Sequence, residues 1–600
     1  MEVFGFRRQS ADGIVDEDVR ACQFCPVQAY DEQSKLFLCD DSTLGFAFEC
    51  VPLAGGDQHT KERIEQLVAG DYPPGTIMQF FLYRSPDIEP QLNALARIRQ
   101  DHMDGPLAGV VKQRIDFLRA HTKKNIHGRS FSGGDYDCGR IQESRLIVSI
   151  KIPFEGKEPK ESDVVLTKTW ETKTESAPST VGLWPLALSA SRYIRLMQSI
   201  INWSPNATWR SMPVMGEWEE DKTISAQIFD PTTDLVIADK STLQLGEHCF
   251  VKVMSAKRIP DAFFFTEAMK YVGNTMGGND KLTINYAVCC NVFFPVTQSE
   301  KSKLETKRTW TVNQAVGPML KFVPVLADKK YSFDILSESF QKGAKPIRMT
   351  FSVLLFSDSR KAVERAAVSA QSYWDTMHFH LMEDYFITAP MFQNCLPLCA
   401  EKEAVFHLDR YKTMTTRELP VLLPVFGEWK GTGTFHVALI SRNGQLMSLS
   451  LHDSDTNKNA VIAAESGSGK SFLLNEIIVS YLSEGAQVWV IDAGKSYKKL
   501  NEQLDGDFLQ FDEASKICLN PFELIDDWKE DEDTISVLIA AMASEKEKLS
   551  DFQMAGLKQI LKRLWETKGQ AMTVDDIAAE CLGHTEQRMH DIGQQLFSFT

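Results

Sequence analysis

The chain has 600 residues, 43% hydrophobic and 24% charged, with a formal net charge of −16. That composition excludes a disordered or collagen-like chain, and the length is too great for one core, so about three to five domains are expected. The acidic balance argues against a protein whose whole surface binds nucleic acid, because duplex affinity rests on neutralising phosphates; a local basic patch stays open.

The opening stretch, MEVFGFRRQSADGIVDE, holds no apolar segment of the kind a secretory signal needs. The longest apolar runs, such as FSVLLF and VLLPVF, fall far short of the roughly 20 residues that span a bilayer. A soluble chain is expected, with any membrane attachment made through partners. Twelve cysteines are spread along it. Cys22 and Cys25 have CxxC spacing, but no second pair or histidine lies near, and Cys395 and Cys399 are far away in sequence. Reduced structural thiols are the expectation rather than a zinc or redox site.

In chain order, Leu44 to Cys50 (LGFAFEC) and Thr76 to Tyr83 (TIMQFFLY) predict strands. Helical spacing follows at Glu62 to Val68, Ile88 to Arg99 and Leu107 to Ala120. Arg145 to Phe154 is another strand, closed by a proline. Together they predict an α+β domain over 1–155. Residues 156–180, rich in Lys, Glu, Ser and Thr with two prolines, predict an exposed linker that opens a second α+β segment, 156–275. A helix is expected in the stretch WPLALSASRYIRLMQSIINW. Lys281 to Pro295 and Ile347 to Ser357 are strong strands, with helices at Gln298 to Thr309 and Arg360 to Met377, in a third α+β or helical segment, 276–418. The two proline-terminated strands hint at a loosely repeated unit.

The grain changes near Leu419. Two alternating runs flank Asn443-Gly444, a strong hairpin signal. From here, 419–600 predicts an α/β nucleotide-binding domain. GKS occurs twice, at Gly469-Lys470-Ser471 and at Gly494-Lys495-Ser496. The first stands in AESGSGKS, Ala464 to Ser471, between a short apolar run expected as a buried strand (AVIA) and a helix, SFLLNEIIVSYLSEG, closed by Gly485. A phosphate loop needs that setting: a turn that points successive N–H groups into one cavity, at the positive end of a helix. Glu465, Ser466, Gly467, Ser468, Gly469, Lys470, Ser471 and Phe472 are the candidate nucleotide-binding residues. Lys470 reaches the β and γ phosphates of ATP as the catalytic candidate, and the Ser471 hydroxyl is the candidate ligand for Mg2+. The second copy fails, since Trp489 is too bulky for close approach and Asp492 would repel phosphate. It reads as the loop after a parallel strand, QVWVI.

Hydrolysis needs an acidic strand end as well. Asp492 is the nearby candidate, expected as structural more than as a metal contact. Beyond it the pattern is helical: two helices after the acidic DDWKEDED, then TVDDIAAECLG and HTEQRMHDIGQQLFSF. No second apolar strand ending in Asp-Glu follows before Thr600. A shortened piece of a longer protein, or reliance on another chain, is expected.

Several stretches, GEWKGTG, RNGQLMSLSLHDS, AESGSGKSFL, VWVIDAGKSYKKL and LNPFELI, together resemble the TraC-type ATPases of F-like conjugative type IV secretion systems. LGFAFECVPLAGGDQ and YPPGTIMQFFLYRSPD resemble that family's N-terminal domain. The match departs at Ala464 and at His452, where an aromatic or aliphatic residue is expected. The resemblance implies an N-terminal α+β region followed by a P-loop RecA-like motor domain that is incomplete here. It implies a cytoplasmic ATPase, peripheral at the inner membrane, that energises pilus assembly and DNA transfer. Its partners would be other subunits of the apparatus and further copies of itself, as a hexamer or dimers arranged in one. The family's catalytic Glu and arginine finger would lie beyond Thr600, so the 600-residue chain is expected to turn over ATP weakly or not at all. The alternatives are a coupling-type DNA pump, which the charge and the lack of apolar helices disfavour, and a nucleotide-binding scaffold without turnover. Direct DNA contact stays open.

Overall fold

The computed structural model describes residues 2–3, 6–7, 24–102, 105, 107–129, 135–211, 218–274, 281–315, 325–510, 520–544 and 548–600. Cys22 lies outside them. The chain divides into two compact units, 1–493 and 494–600.

The larger unit is built on one sheet of thirteen strands among the described residues. They are β1 (Val27–Asp31), β2 (Leu36–Cys39), β3 (Thr43–Cys50), β4 (Ile77–Ser85), β5 (Glu143–Pro153), β6 (Leu186–Ala187), β7 (Leu235–Ile237), β8 (Thr242–Leu245), β9 (Cys249–Arg258), β10 (Asn285–Phe293), β11 (Pro346–Ser357), β12 (His380–Glu383) and β13 (Lys412–Thr415). The order across the sheet is β7-β8-β9-β11-β10-β4-β5-β3-β2-β1, with β6, β12 and β13 added on β3, β9 and β11. Every pairing in it is antiparallel.

The predicted strands fall where the apolar runs are. These runs are continuous rather than alternating because both faces of the sheet are covered. In β4, Met78, Phe80 and Leu82 enter one core, while Phe81 and Tyr83 enter the other. The two proline-terminated strands, β5 and β10, lie on either side of β4.

That order corrects the domain divisions expected at 155 and 275. Strands from 156–275, 276–418 and 1–155 lie side by side in that order in one sheet, β9 pairing with β11 and β10 with β4, so these segments share its two cores. It also corrects the linker. Residues 161–179 form a helix against the sheet. Lysines, glutamates and threonines hid its inward stripe: Val164 packs on the core, and Thr167, Glu171 and Thr174 are buried at helical spacing. Trp170 stacks on Tyr72 with ring centroids 4.3 Å apart. Hydroxyl groups that read as loop-forming instead donate to carbonyls one turn back, as Thr167 does to Asp163 at 2.8 Å.

The helices used below are α1 (Glu89–Arg97), α2 (Ala108–Ala120) and α3 (Lys470–Leu482). A hairpin of β14 (Val437–Ile440) and β15 (Leu446–Leu449) turns at Gly444, whose φ of 83° only glycine adopts readily. Leu446 packs with Leu92 and Leu118 of α1 and α2.

The smaller unit is helical. Residues Trp528–Ala543, Asp551–Lys568, Val574–Leu582 and Gln587–Leu596 enclose a core that includes Ile539, Leu561, Ile577 and Ile592. Asp527 opens the first of these helices by accepting from the Lys529 N–H at 2.9 Å. Residues 419–493 group with the sheet, not with 494–600, so the expected 419–600 domain is divided between the two units. Among the described residues no helix is long and apolar enough to cross a membrane.

Candidate functional site

The first GKS lies on a turn into a helix, as its sequence predicts. Gly467 and Gly469 have φ of 82° and 98°, and Gly469 is the residue before the first helical turn. A Cβ on either would meet nothing within 4 Å, so the demand for glycine there is conformational. Ser468 closes the turn, its N–H donating to the Glu465 carbonyl at 3.2 Å and its hydroxyl to the same oxygen at 2.7 Å. The first helical bond runs from Leu473 N–H to the Gly469 carbonyl at 3.0 Å. No side chain caps the helix start. The N–H groups of the first turn therefore remain as donors for an anion at the positive helix end.

Glu465, Ser466, Gly467, Ser468, Gly469 and Lys470 are exposed and Ser471 is half-buried. Phe472 is 80% exposed. The loop thus presents its backbone and the Lys470 ammonium to solvent. Ser471 lies one position along the helix from Lys470, where its hydroxyl could join a cation carried by phosphate. Mg2+ commonly binds through few protein ligands plus substrate phosphates, so one hydroxyl suits it. Among the described residues no three His, Cys, Asp or Glu side chains form a metal cluster.

Gly494-Lys495-Ser496 is a different structure. Lys495 itself has a φ of 58°, and the helix after it, Lys498–Gln503, is only six residues long. Neither AVIA nor QVWVI forms a strand: Val461 is 93% exposed and Ile491 fully so. Strand structure comes from pairing, and neither segment finds a neighbouring strand among the described residues. Asp492, at the end of the second, is exposed.

The helix behind the loop is held from its far half. Ile477 and Tyr481 pack on Val437 of β14. The Tyr481 hydroxyl accepts from Leu451 N–H at 2.7 Å, and the His436 ring stacks on Tyr481 at 5.2 Å. His452 meets Tyr481 edge-on at 5.4 Å, so it does the aromatic packing expected of that position. Gly431 and Gly433 wrap β15. A Cβ at Gly431 would lie 1.7 Å from the Ser448 carbonyl. Asp453 holds the turn by accepting from Thr434 N–H and hydroxyl at 3.0 and 2.7 Å. Desolvation pushes its carboxyl up, but the bonds from Thr432 and Thr434 outweigh that and bring it down to about 2.

Two buried arginines missed by the sequence reading join this region to the sheet. Arg84, on β4, donates to Ser144 and to the Asn443 carbonyl, each at 2.6 Å. Arg99, after α1, reaches the end of α3. Their partners lie from 60 to 384 positions away, so no local pattern could reveal them. Cys25, set aside as half of a CxxC pair, is buried with its sulfur 3.7 Å from that of Cys399.

Residues 23–400 match the family model described as TraC protein, and residues 447–580, which contain the loop, match the TraG P-loop domain. The chain is also similar to a curated protein named Protein TraC from Escherichia coli (strain K12), 20% identical over 570 residues. That alignment covers 92% of this chain and 63% of the length of that relative.

Proposed function

Because the chain belongs to the TraC protein family, matched over residues 23–400, we propose that it is an ATP-binding P-loop subunit of a conjugative type IV secretion apparatus. The observation that carries this reading is the 464–471 turn: two glycines at positive φ, an uncapped helix start and Lys470 at the first helical position, inside a P-loop domain match. The N–H groups of 466–472 would wrap the phosphates, and the Lys470 ammonium would offset the charge between β and γ phosphates. The Ser471 hydroxyl would hold Mg2+, which supplies neutralisation of the phosphate charge. The subunit would work as a homo-oligomer, a hexamer or dimers arranged in one. It would sit at the cytoplasmic face of the inner membrane beside other subunits of the apparatus, energising pilus assembly and DNA transfer.

Among the described residues the segment leading to Asp492 has no ladder, so no sheet fixes the Asp492 carboxylate where it would orient water. Binding is therefore expected to be stronger than turnover in this 600-residue chain. The test is paired. Lys470→Ala should abolish conjugative transfer in cells, and the purified 600-residue chain should hydrolyse ATP slowly. Unchanged transfer by that variant would refute the motor reading. Fast steady-state hydrolysis by the 600-residue chain would refute the claim about the missing carboxylate.

A further inference from the structure

We infer that Arg99 is a positioning residue that couples occupancy of the 464–471 loop to helix α1 of the N-terminal region, a step that rests on the nucleotide reading above. Helix α3 has thirteen residues and is about 20 Å long. Its first turn carries the loop and is exposed. Its last turn is gripped from the N-terminal region. The Arg99 side chain is 1% exposed. Its Nε donates to Ser483 Oγ at 2.8 Å, and its guanidinium donates to the Ser480 carbonyl at 3.4 Å and pairs with Glu484. The same fork donates to the carbonyls of Phe435 at 3.2 Å, His436, and Leu95 of α1 at 2.8 Å. One side chain therefore joins α1, the segment leading into β14, and the end of the nucleotide helix. Arg114 of α2 adds a second hold, donating to Ser480 Oγ at 3.1 Å and pairing with Glu476.

The geometry favours transmission over a merely adhesive contact. Both arginines act on the C-terminal half of α3, where cations suit the helix dipole. A guanidinium bonded to several acceptors in fixed directions tolerates little displacement of any of them. A packed helix moves as a unit, and shifts of about 1–2 Å are the usual currency of such transitions. A displacement of the loop end on phosphate binding would reach Ser480, Ser483 and Glu484 together, and hence α1. At Gly485, just past the helix, an added Cβ would lie 2.3 Å from His102 Nε2, so backbone also abuts the N-terminal region there.

The test is hydrogen exchange on the full chain, with and without Mg2+ and a non-hydrolysable ATP analogue. A binding titration and a thermal melt are run on the same samples. In the unaltered chain, amides of 89–102 should slow at least about twofold on nucleotide addition. Arg99→Met/Glu484→Gln removes both charges together, so that neither is stranded. It should bind nucleotide within about threefold of the unaltered chain while the response stays confined to 464–476. Arg114→Met/Glu476→Gln, at partly exposed residues, carries the same comparison if the first pair does not fold, and should weaken the response at 108–120. Binding with no N-terminal response in the unaltered chain overturns the coupling alone. So does an undiminished response in both double variants. A flat titration of the unaltered chain overturns the nucleotide reading and the coupling with it.

Discussion

Arg84→Ala should be among the most destabilising single changes in the larger unit. Arg84 is fully buried. It donates to Ser144 Oγ and the Asn443 carbonyl at 2.6 Å each and to Gln445 Oε1 at 3.3 Å, and it lies 3.4 Å from Glu428, which is itself only 8% exposed. Removing the guanidinium strands a buried carboxylate, which costs about 3–5 kcal/mol. It also leaves the Asn443 carbonyl at the hairpin turn short of its donor, which costs about 1–3 kcal/mol. Allowing for water entering the space, a net loss of about 4–6 kcal/mol is expected, a large part of the roughly 5–15 kcal/mol that a domain has. Arg84→Met/Glu428→Gln removes the charges as a pair, leaves only the carbonyl's loss, and should cost about 1–3 kcal/mol. Urea denaturation followed by tryptophan fluorescence measures both. A loss below about 1 kcal/mol in the single variant, or equal losses in the two, would show that the hairpin is not held on the sheet by this charge network.

Four further outcomes follow from the same contacts. Gly485→Ala, at a φ of 84° and facing His102, should lower stability by about 1–3 kcal/mol in thermal melts, against no change for the exposed Glu502→Ala. Trp170→Ala should cost about 2 kcal/mol through its lost stacking on Tyr72, and no loss would mean that residues 161–179 do not pack as a helix. Gly469→Ala should cost about 1–2 kcal/mol in stability, because its φ is 98° and no neighbour is in the way, yet reduce nucleotide binding well beyond that. Burial, with Asp41 and Asp40 nearby and Lys151 opposing, pushes the Glu401 carboxyl up to about 7. A raised folded value means the folded state holds more protons between about 4.5 and 7, so stability falls as pH rises through that window. Tm should therefore decline from pH 5 to pH 8 in the unaltered chain and decline less in Glu401→Gln.

What could be read beforehand depended on whether the information was local. The strands at 44–50, 77–83, 145–154, 285–293 and 347–357 were legible because burial on both faces demands unbroken apolar runs. The loop at 464–471 was legible because two glycines and a helix start act within a few residues. The helix at 161–179 was not, because its inward positions include Thr167, Glu171 and Thr174, polar residue types whose burial no local pattern announces. AVIA and QVWVI have strand composition, yet ladder partners decide the outcome and composition does not name them. Arg99 meets Ser483 across 384 positions, and Cys25 meets Cys399 across 374. Nothing around either residue announces its partner. The division of 1–418 into three segments failed for a related reason, since the pairings β9 with β11 and β10 with β4 join strands that are distant in sequence into one sheet.

Equilibrium titration of the 600-residue chain with a fluorescent ATP analogue, with Mg2+ and with EDTA, tests the account most directly, alongside Lys470→Ala. Saturable binding at one site per chain, strengthened by Mg2+ and weakened at least about tenfold in the variant, is the predicted result. Absence of binding, or equal affinity in Lys470→Ala, would contradict the assignment of residues 464–471 as a phosphate loop.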